Sequence, residues 1–194
     1  EEAKVVALTS FKPGLLSGGF DLKELISDPE TSARLLHRGA ELMMRLYMLE
    51  QPFLIGCPGS AVAAGAFLLF SADWRVGAAL EAKIGLNELA IGIPIPHFVV
   101  EMAKDRLDTR QLTGYTLGAR MLNPEAACVA GYLDELVPME SLRDTLLERA
   151  QERVQLSGPH YAMTKAKLRQ PTIDRIRAAL DADIQSLTSS LPAG

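Results

Sequence analysis

An apolar run from 53 to 70 constrains this chain more than any other stretch, because the punctuation inside it decides what it becomes. Pro58, Gly59, Ser60 and Gly65 interrupt the run, and Ser71 and Asp73 close it. A helix that spans a bilayer needs about 20 consecutive apolar residues. A buried strand over 52–57, a tight turn and a helix over 64–71 suit the pattern better. The helix carries apolar residues on every side, so it is expected to be buried nearly all round. The turn before it, Ala61-Val62-Ala63-Ala64-Gly65-Ala66, places small side chains at a helix start. Unpaired backbone N–H groups and the positive end of the helix dipole favour negative charge there. Tight helix–sheet packing would use the same small residues.

A second turn of this kind lies upstream, in Ser17-Gly18-Gly19-Phe20-Asp21-Leu22. Gly18 and Gly19 permit backbone shapes closed to other residues and let a ligand come close. A plain loop before a capped helix accounts for them equally well. Asp21 fits as the N-cap of a helix starting at Leu22, with Glu24 placed as in a capping box, and is not a catalytic candidate.

Downstream, Glu88 stands in Ile84-Gly85-Leu86-Asn87-Glu88, inside an apolar stretch running to Pro96. A carboxylate among Ile, Leu and Ala has its pKa raised by desolvation, which suits a general base near neutral pH. The competing reading is a solvated loop carboxylate. Two donor turns and one carboxylate in an apolar pocket are the minimal parts for removing a proton from carbon next to a thioester.

The rest of the chain narrows the class. Its 194 residues suffice for one well-buried domain, and the composition, 48% hydrophobic and 23% charged, is that of an ordinary globular protein. A net charge of −4 argues against nucleic acid as the main partner. Cys57 and Cys128 lack paired spacing and are expected to pack as small core side chains, with neither a disulfide nor a metal site. Glu1-Glu2-Ala3-Lys4 does not read as a signal peptide, and a reducing cytoplasm is the expected setting. His37, His97 and His160 are scattered, with no evident Ser–His–Asp spacing. Strands are expected over 4–9, 73–76, 82–84 and 133–137, with 10–20 and 86–96 as loops. A long amphipathic helix is expected from Asp28 or Thr31 to about Leu49. Further helices fall near 97–106, 109–117, 124–130, 139–155, 159–168 and 173–187. Lys165, Lys167, Arg169 and Arg175 read as a solvated helix face, with one or two in reach of a nucleotide phosphate. Strands early and helices late point to one α/β domain with a helical C-terminal part.

Taken in order, Leu16-Ser17-Gly18-Gly19-Phe20-Asp21-Leu22-Lys23, Gly59-Ser60-Ala61-Val62-Ala63-Ala64-Gly65 leading to Ala72-Asp73, and Ile84-Gly85-Leu86-Asn87-Glu88 followed by Gly92-Ile93-Pro94 resemble the crotonase superfamily of enoyl-CoA hydratases and isomerases. Leu122-Asn123-Pro124-Glu125-Ala126-Ala127 and Ala130-Gly131-Tyr132-Leu133-Asp134 resemble that family's later helix-then-strand segment. The resemblance implies an α/β spiral of ββα units over 1–138 and a helical trimerisation region over 139–194. It implies an acyl-CoA substrate, no permanently bound cofactor, no metal, no membrane or nucleic-acid partner, and a homotrimer or hexamer. By position it places the oxyanion-hole amides on Phe20 and Ala64 and the catalytic glutamate on Glu88. Gly18, Gly19, Gly65, Phe67, Leu86, Ile91 and Pro94 are expected to contact substrate, with Phe70 and Ile93 along the acyl side.

The first glutamate of the two-glutamate hydratases maps to Phe67, which moves no protons. Gly-Leu-Asn-Glu is similar to the mitochondrial-type Δ3,Δ2-enoyl-CoA isomerases, which work with one glutamate, so isomerisation is the expected reaction. The alternatives are hydratase, hydrolase or decarboxylase chemistry on the same scaffold, and a non-catalytic scaffold protein. The family's first strands have no counterpart here, which leaves coenzyme A adenine contacts unassigned and one sheet edge open.

Overall fold

Two parallel sheets grow together because the chain gives each of them one strand per turn of a spiral. The computed structural model describes residues 3–191. β1 (Val6–Thr9), β3 (Phe53–Cys57), β5 (Trp74–Ala78) and β7 (Glu135–Val137) form a four-stranded sheet in that order. β2 (Gly14–Ser17), β4 (Gly59–Val62) and β6 (Ile84–Gly85) form a three-stranded sheet beside it in the sequence of the chain. All pairings between these strands are parallel, with Val6 opposite Phe53, Leu54 opposite Trp74 and Ala61 opposite Ile84. Parallel strands need crossovers, and helices supply them. α1 (Leu22–Leu25) and α2 (Pro29–Tyr47) link β2 to β3, and α3 (Ala64–Ser71) links β4 to β5. Every residue of β3 is buried, as a central parallel strand covered on both faces requires.

Local chemistry sets the helix boundaries. Asp21 caps α1 by accepting from the amides of Lys23 and Glu24. Asp28 caps α2 by accepting from Thr31 N at 2.9 Å, and Pro29 fills the first helical position, where its missing N–H costs nothing. Asn123 and Pro124 open α6 (Pro124–Ala130) in the same way, and Gly131 ends it in the left-handed conformation.

The remaining helices are α4 (His97–Arg106), α5 (Leu112–Thr116), α7 (Leu142–Val154) and α8 (Pro159–Ser190). Leu142 and Leu146 of α7 pack on Leu54 and Val76 of the larger sheet. Ile173 and Ile176 of α8 enter the main core with Phe53, Phe67 and Phe98. Among the described residues no helix is long and apolar enough to cross a membrane.

Three expectations need correction. Segments 10–20 and 58–63 are not simply loops, since they hold β2 and β4. Four-residue strands built from Gly, Leu, Ser, Ala and Val carry too little β preference to be seen in isolation. The segments at 159–168 and 173–187 are one 32-residue helix that runs through Pro171. Burial on both sides of the proline, at Arg169 and at Thr172–Ile173, holds the axis together where proline alone would break it. Lys165 and Arg169 are buried instead of solvated, because both reach the carboxylate of Asp73.

Candidate active site

Strand β6 delivers Glu88 to the site. After Gly85 the chain passes through buried Leu86 and half-buried Asn87 into a 3-10 turn, Glu88–Ile91, ended by Gly92 at φ 78°. The carbonyl of Glu88 accepts from Ile93 N at 2.9 Å, which fixes the backbone beneath the side chain. The carboxyl group is 5% exposed with its residue, and neither oxygen has a hydrogen-bond partner among the described residues. Burial pushes its pKa up to about 7. A buried carboxylate without a partner is costly, and such groups concentrate at functional sites.

The two glycine-bearing turns meet beside it. β4 ends at Val62, and Ala63 N donates to the Gly85 carbonyl at 3.1 Å, tying this turn to the Glu88 loop. Ala63 adopts φ 52° and ψ −121°, a conformation strained for a residue with a side chain by about 1–3 kcal/mol. The amides of Ala66 and Phe67 both donate to the Ala63 carbonyl. The amides of Ala64 and Gly65 precede them at the start of α3, where the helix itself supplies no acceptor. Gly19 has φ 108°, and a methyl group built on it would lie 3.4 Å from Ala64 N. A methyl group on Gly65 would stand 2.3 Å from the Ser17 carbonyl. These glycines let the two turns close on each other.

A cavity of about 250 Å³ opens where the elements converge. Gly18, Phe20, Ala63, Ala64 and Phe67 line one part of it, and Asn87, Glu88, Ile91, Ile93 and Pro94 another. Leu22, Leu25, Leu36, Pro96, Leu187 and Leu191 complete the wall. Glu88 is the one titratable side chain among these lining residues. Phe67 stands edge-on to Phe20, ring centres 6.3 Å apart, and to Phe98 at 5.8 Å.

Most of the expected contact residues therefore gather around one space, and four do not line it. Gly19 and Gly65 are consumed in backbone packing between the turns. Leu86 and Phe70 are fully buried in the main core. Asn87, whose Oδ1 is buried without a partner, and an aliphatic wall from α1, α2 and α8 line the cavity without any role assigned to them from the sequence. The step Ile184–Leu187 on a helical stripe was the one available sign that this end of α8 faces apolar surroundings. Tyr132 is a further omission: its ring packs on Phe70, its hydroxyl is buried and unpartnered, and the nearby Glu88 charge adds to burial in holding its proton.

Other candidate groups are engaged elsewhere. Arg175 pairs with Glu101, and His37 lies 3.7 Å from Asp181 on the surface. Cys57 is buried, donates to the Gly59 carbonyl and has its thiol pushed up to about 11 by burial, which makes it an inert core residue. Cys128 is only partly buried. Among the described residues no three His, Cys, Asp or Glu side chains are grouped to hold a metal ion.

The family model for enoyl-CoA hydratase/isomerase matches residues 1–192. Human mitochondrial enoyl-CoA delta isomerase 1 is 28% identical over 186 residues, which is 95% of this chain and 62% of that protein. The mouse enzyme is 29% identical, with 64% of its length matched. The chain thus spans less than two thirds of these curated relatives. The crystal structure of a Pseudomonas syringae enoyl-CoA hydratase/isomerase family protein superimposes with TM-score 0.88 at 38% identity, covering 94% of this chain and 78% of that one. Human mitochondrial delta3-delta2-enoyl-CoA isomerase superimposes with TM-score 0.89 at 29% identity, covering 96% and 73%.

Proposed function

Because the chain belongs to the enoyl-CoA hydratase/isomerase family, we propose that its cavity receives the acyl end of a coenzyme A thioester and shifts a double bond from position 3 to position 2. The thioester oxygen sits between the amides of Phe20 and Ala64. Glu88 takes a proton from C2, and the electron pair delocalises into a dienolate whose oxygen is held by the two amides and the N-terminus of α3. Glu88 then returns the proton to C4, so a single group acts as base and acid. Losing one oxyanion-hole donor typically costs about a hundred- to a thousandfold in rate.

The observation that carries the reading is the solitary Glu88 in an otherwise uncharged lining, with Phe67 where a second acid would be needed to deliver water. Matching 3-enoyl-, 2-enoyl- and malonyl-type thioesters assayed side by side test it. Conversion of the 3-enoyl to the 2-enoyl thioester should dominate. Faster hydration, hydrolysis or decarboxylation would overturn it. Assembly as a homotrimer or hexamer and a cytoplasmic setting belong to the same proposal, and a monomeric mass by light scattering would remove the first.

The pH profile offers a separate check. Glu88 must be ionised to remove a proton, and burial holds its pKa near 7. The rate at limiting substrate should therefore fall about tenfold per unit of pH below that value and level off above it. An acid limb centred below pH 5.5 would mean that a different group, or a solvated carboxylate, carries the reaction.

A further inference from the structure

The cavity walls belong to two separate apolar clusters. Ala64 and Phe67 are part of the main core, on the side where the proposed chemistry takes place. Leu25 of α1, Leu36 of α2 and Leu187 of α8 form the other wall and belong to a smaller cluster with Ile93 and Ile184. These three leucines are 8%, 3% and 5% exposed, and Ile184 packs with them at 1%, so these side chains are shielded from solvent, while Leu22 of the same lining is 49% exposed. The end of α8 is also pinned in place. Asp183, one residue before Ile184, accepts from His97 N at 2.8 Å at the start of α4.

Resting on the function proposed above, we infer that this wall makes the protein a medium-chain enzyme, with Leu25, Leu36 and Leu187 setting the upper limit on acyl length. Size supplies the estimate. An apolar protein cavity of about 150 Å³ holds benzene, with its six carbons. In proportion, a cavity of about 250 Å³ holds about ten carbons, counted from the thioester carbonyl. An acyl group of about eight to ten carbons fills the space, and a sixteen-carbon chain does not fit unless the leucine wall moves. The wall carries no charge or hydrogen-bonding side chain, so the terminal part it selects is an unsubstituted hydrocarbon.

Calorimetric titration with butanoyl-, octanoyl-, decanoyl- and hexadecanoyl-CoA, each kept below its micelle concentration, tests the limit without requiring turnover. Affinity should rise about three- to fourfold per methylene up to the eight-carbon chain. Hexadecanoyl-CoA should then bind at least tenfold more weakly than decanoyl-CoA. Leu25→Ala should raise the ratio of hexadecanoyl to octanoyl affinity by fivefold or more. The native-chain series stands by itself if that variant folds poorly. Hexadecanoyl-CoA binding as tightly as decanoyl-CoA would overturn the size limit and leave the proposed reaction standing. An unchanged ratio in a folded Leu25→Ala protein would remove Leu25 from the limiting wall. Absence of binding at every length would overturn the limit and the proposed function together.

Discussion

Glu88→Gln is expected to lower turnover of a 3-enoyl thioester by about a hundred- to ten-thousandfold while making the protein relatively more stable as pH rises. The first effect follows from removing the one proton-transfer group in the cavity, whose contribution lies in that range for general acid–base catalysis. The second follows from burial. Glu88 titrates near 7 in the folded protein against an ordinary value of 4.5, so the folded state holds its proton more tightly than the unfolded chain does. The stability this lends is complete below about pH 4.5 and is lost progressively as pH rises to about 7. Glutamine cannot ionise and escapes that loss. The stability difference between variant and parent should therefore move by about 2–3 kcal/mol in favour of glutamine between pH 5 and 8. Comparing the difference at two pH values cancels the cost of a buried amide, which does not depend on pH. Urea unfolding at both values measures it, and calorimetry with a saturated acyl-CoA shows whether binding survives. Full activity in the variant would remove Glu88 from the mechanism. A stability difference that stays flat with pH would mean that the carboxylate is hydrated in the folded protein.

What could be read along the chain was local. The run Phe53–Cys57 announced β3 because a central parallel strand is apolar on both faces. Asp21 and Asp28 announced helix starts because capping needs only a side chain and an amide two or three residues on. The residues of the three motifs that gather at the cavity were also legible, through likeness to a family in which such turns recur. Contacts between distant segments were not. Nothing local to Leu25, Leu36 or Leu187 marks them as neighbours, and their meeting on one cavity wall depends on how α1, α2 and α8 cross. Gly19 and Gly65 looked like places for substrate, and in the fold they accommodate each other's turn. Lys165 and Arg169 looked like a solvated stripe because lysine and arginine are rarely buried without a partner. Their partner, Asp73, lies 92 residues before Lys165, beyond the reach of any periodicity.

That partner is the basis of the largest expected effect on stability: Asp73→Ala should destabilise the fold by about 3–5 kcal/mol, lowering the melting temperature by about 10 °C or more. The Asp73 carboxylate accepts from Phe53 N at 2.7 Å, binds Lys165 Nζ at 2.7 Å and pairs with Arg169 at 2.6 Å. The two cationic side chains are 6% and 3% exposed, so deleting the anion strands two charges where water cannot replace it. The loss should itself depend on pH. Burial already draws Lys165 down to about 8, against the opposing pull of Asp73. Without the carboxylate its folded-state pKa drops further below the unfolded value of 10.5, and a lysine depressed on folding becomes less costly as pH rises. Urea midpoints should therefore recover part of the loss between pH 7 and 9. A total loss below 1 kcal/mol would show that α8 does not depend on this anchor. The same helix carries Leu187 to the cavity, so loosening its first half at Lys165 and Arg169 should also blunt discrimination between acyl lengths. Arg169 donates as well to the carbonyls of Tyr47 and Ser71, at the ends of α2 and α3, so the anchor also ties α8 to two helices that line the cavity.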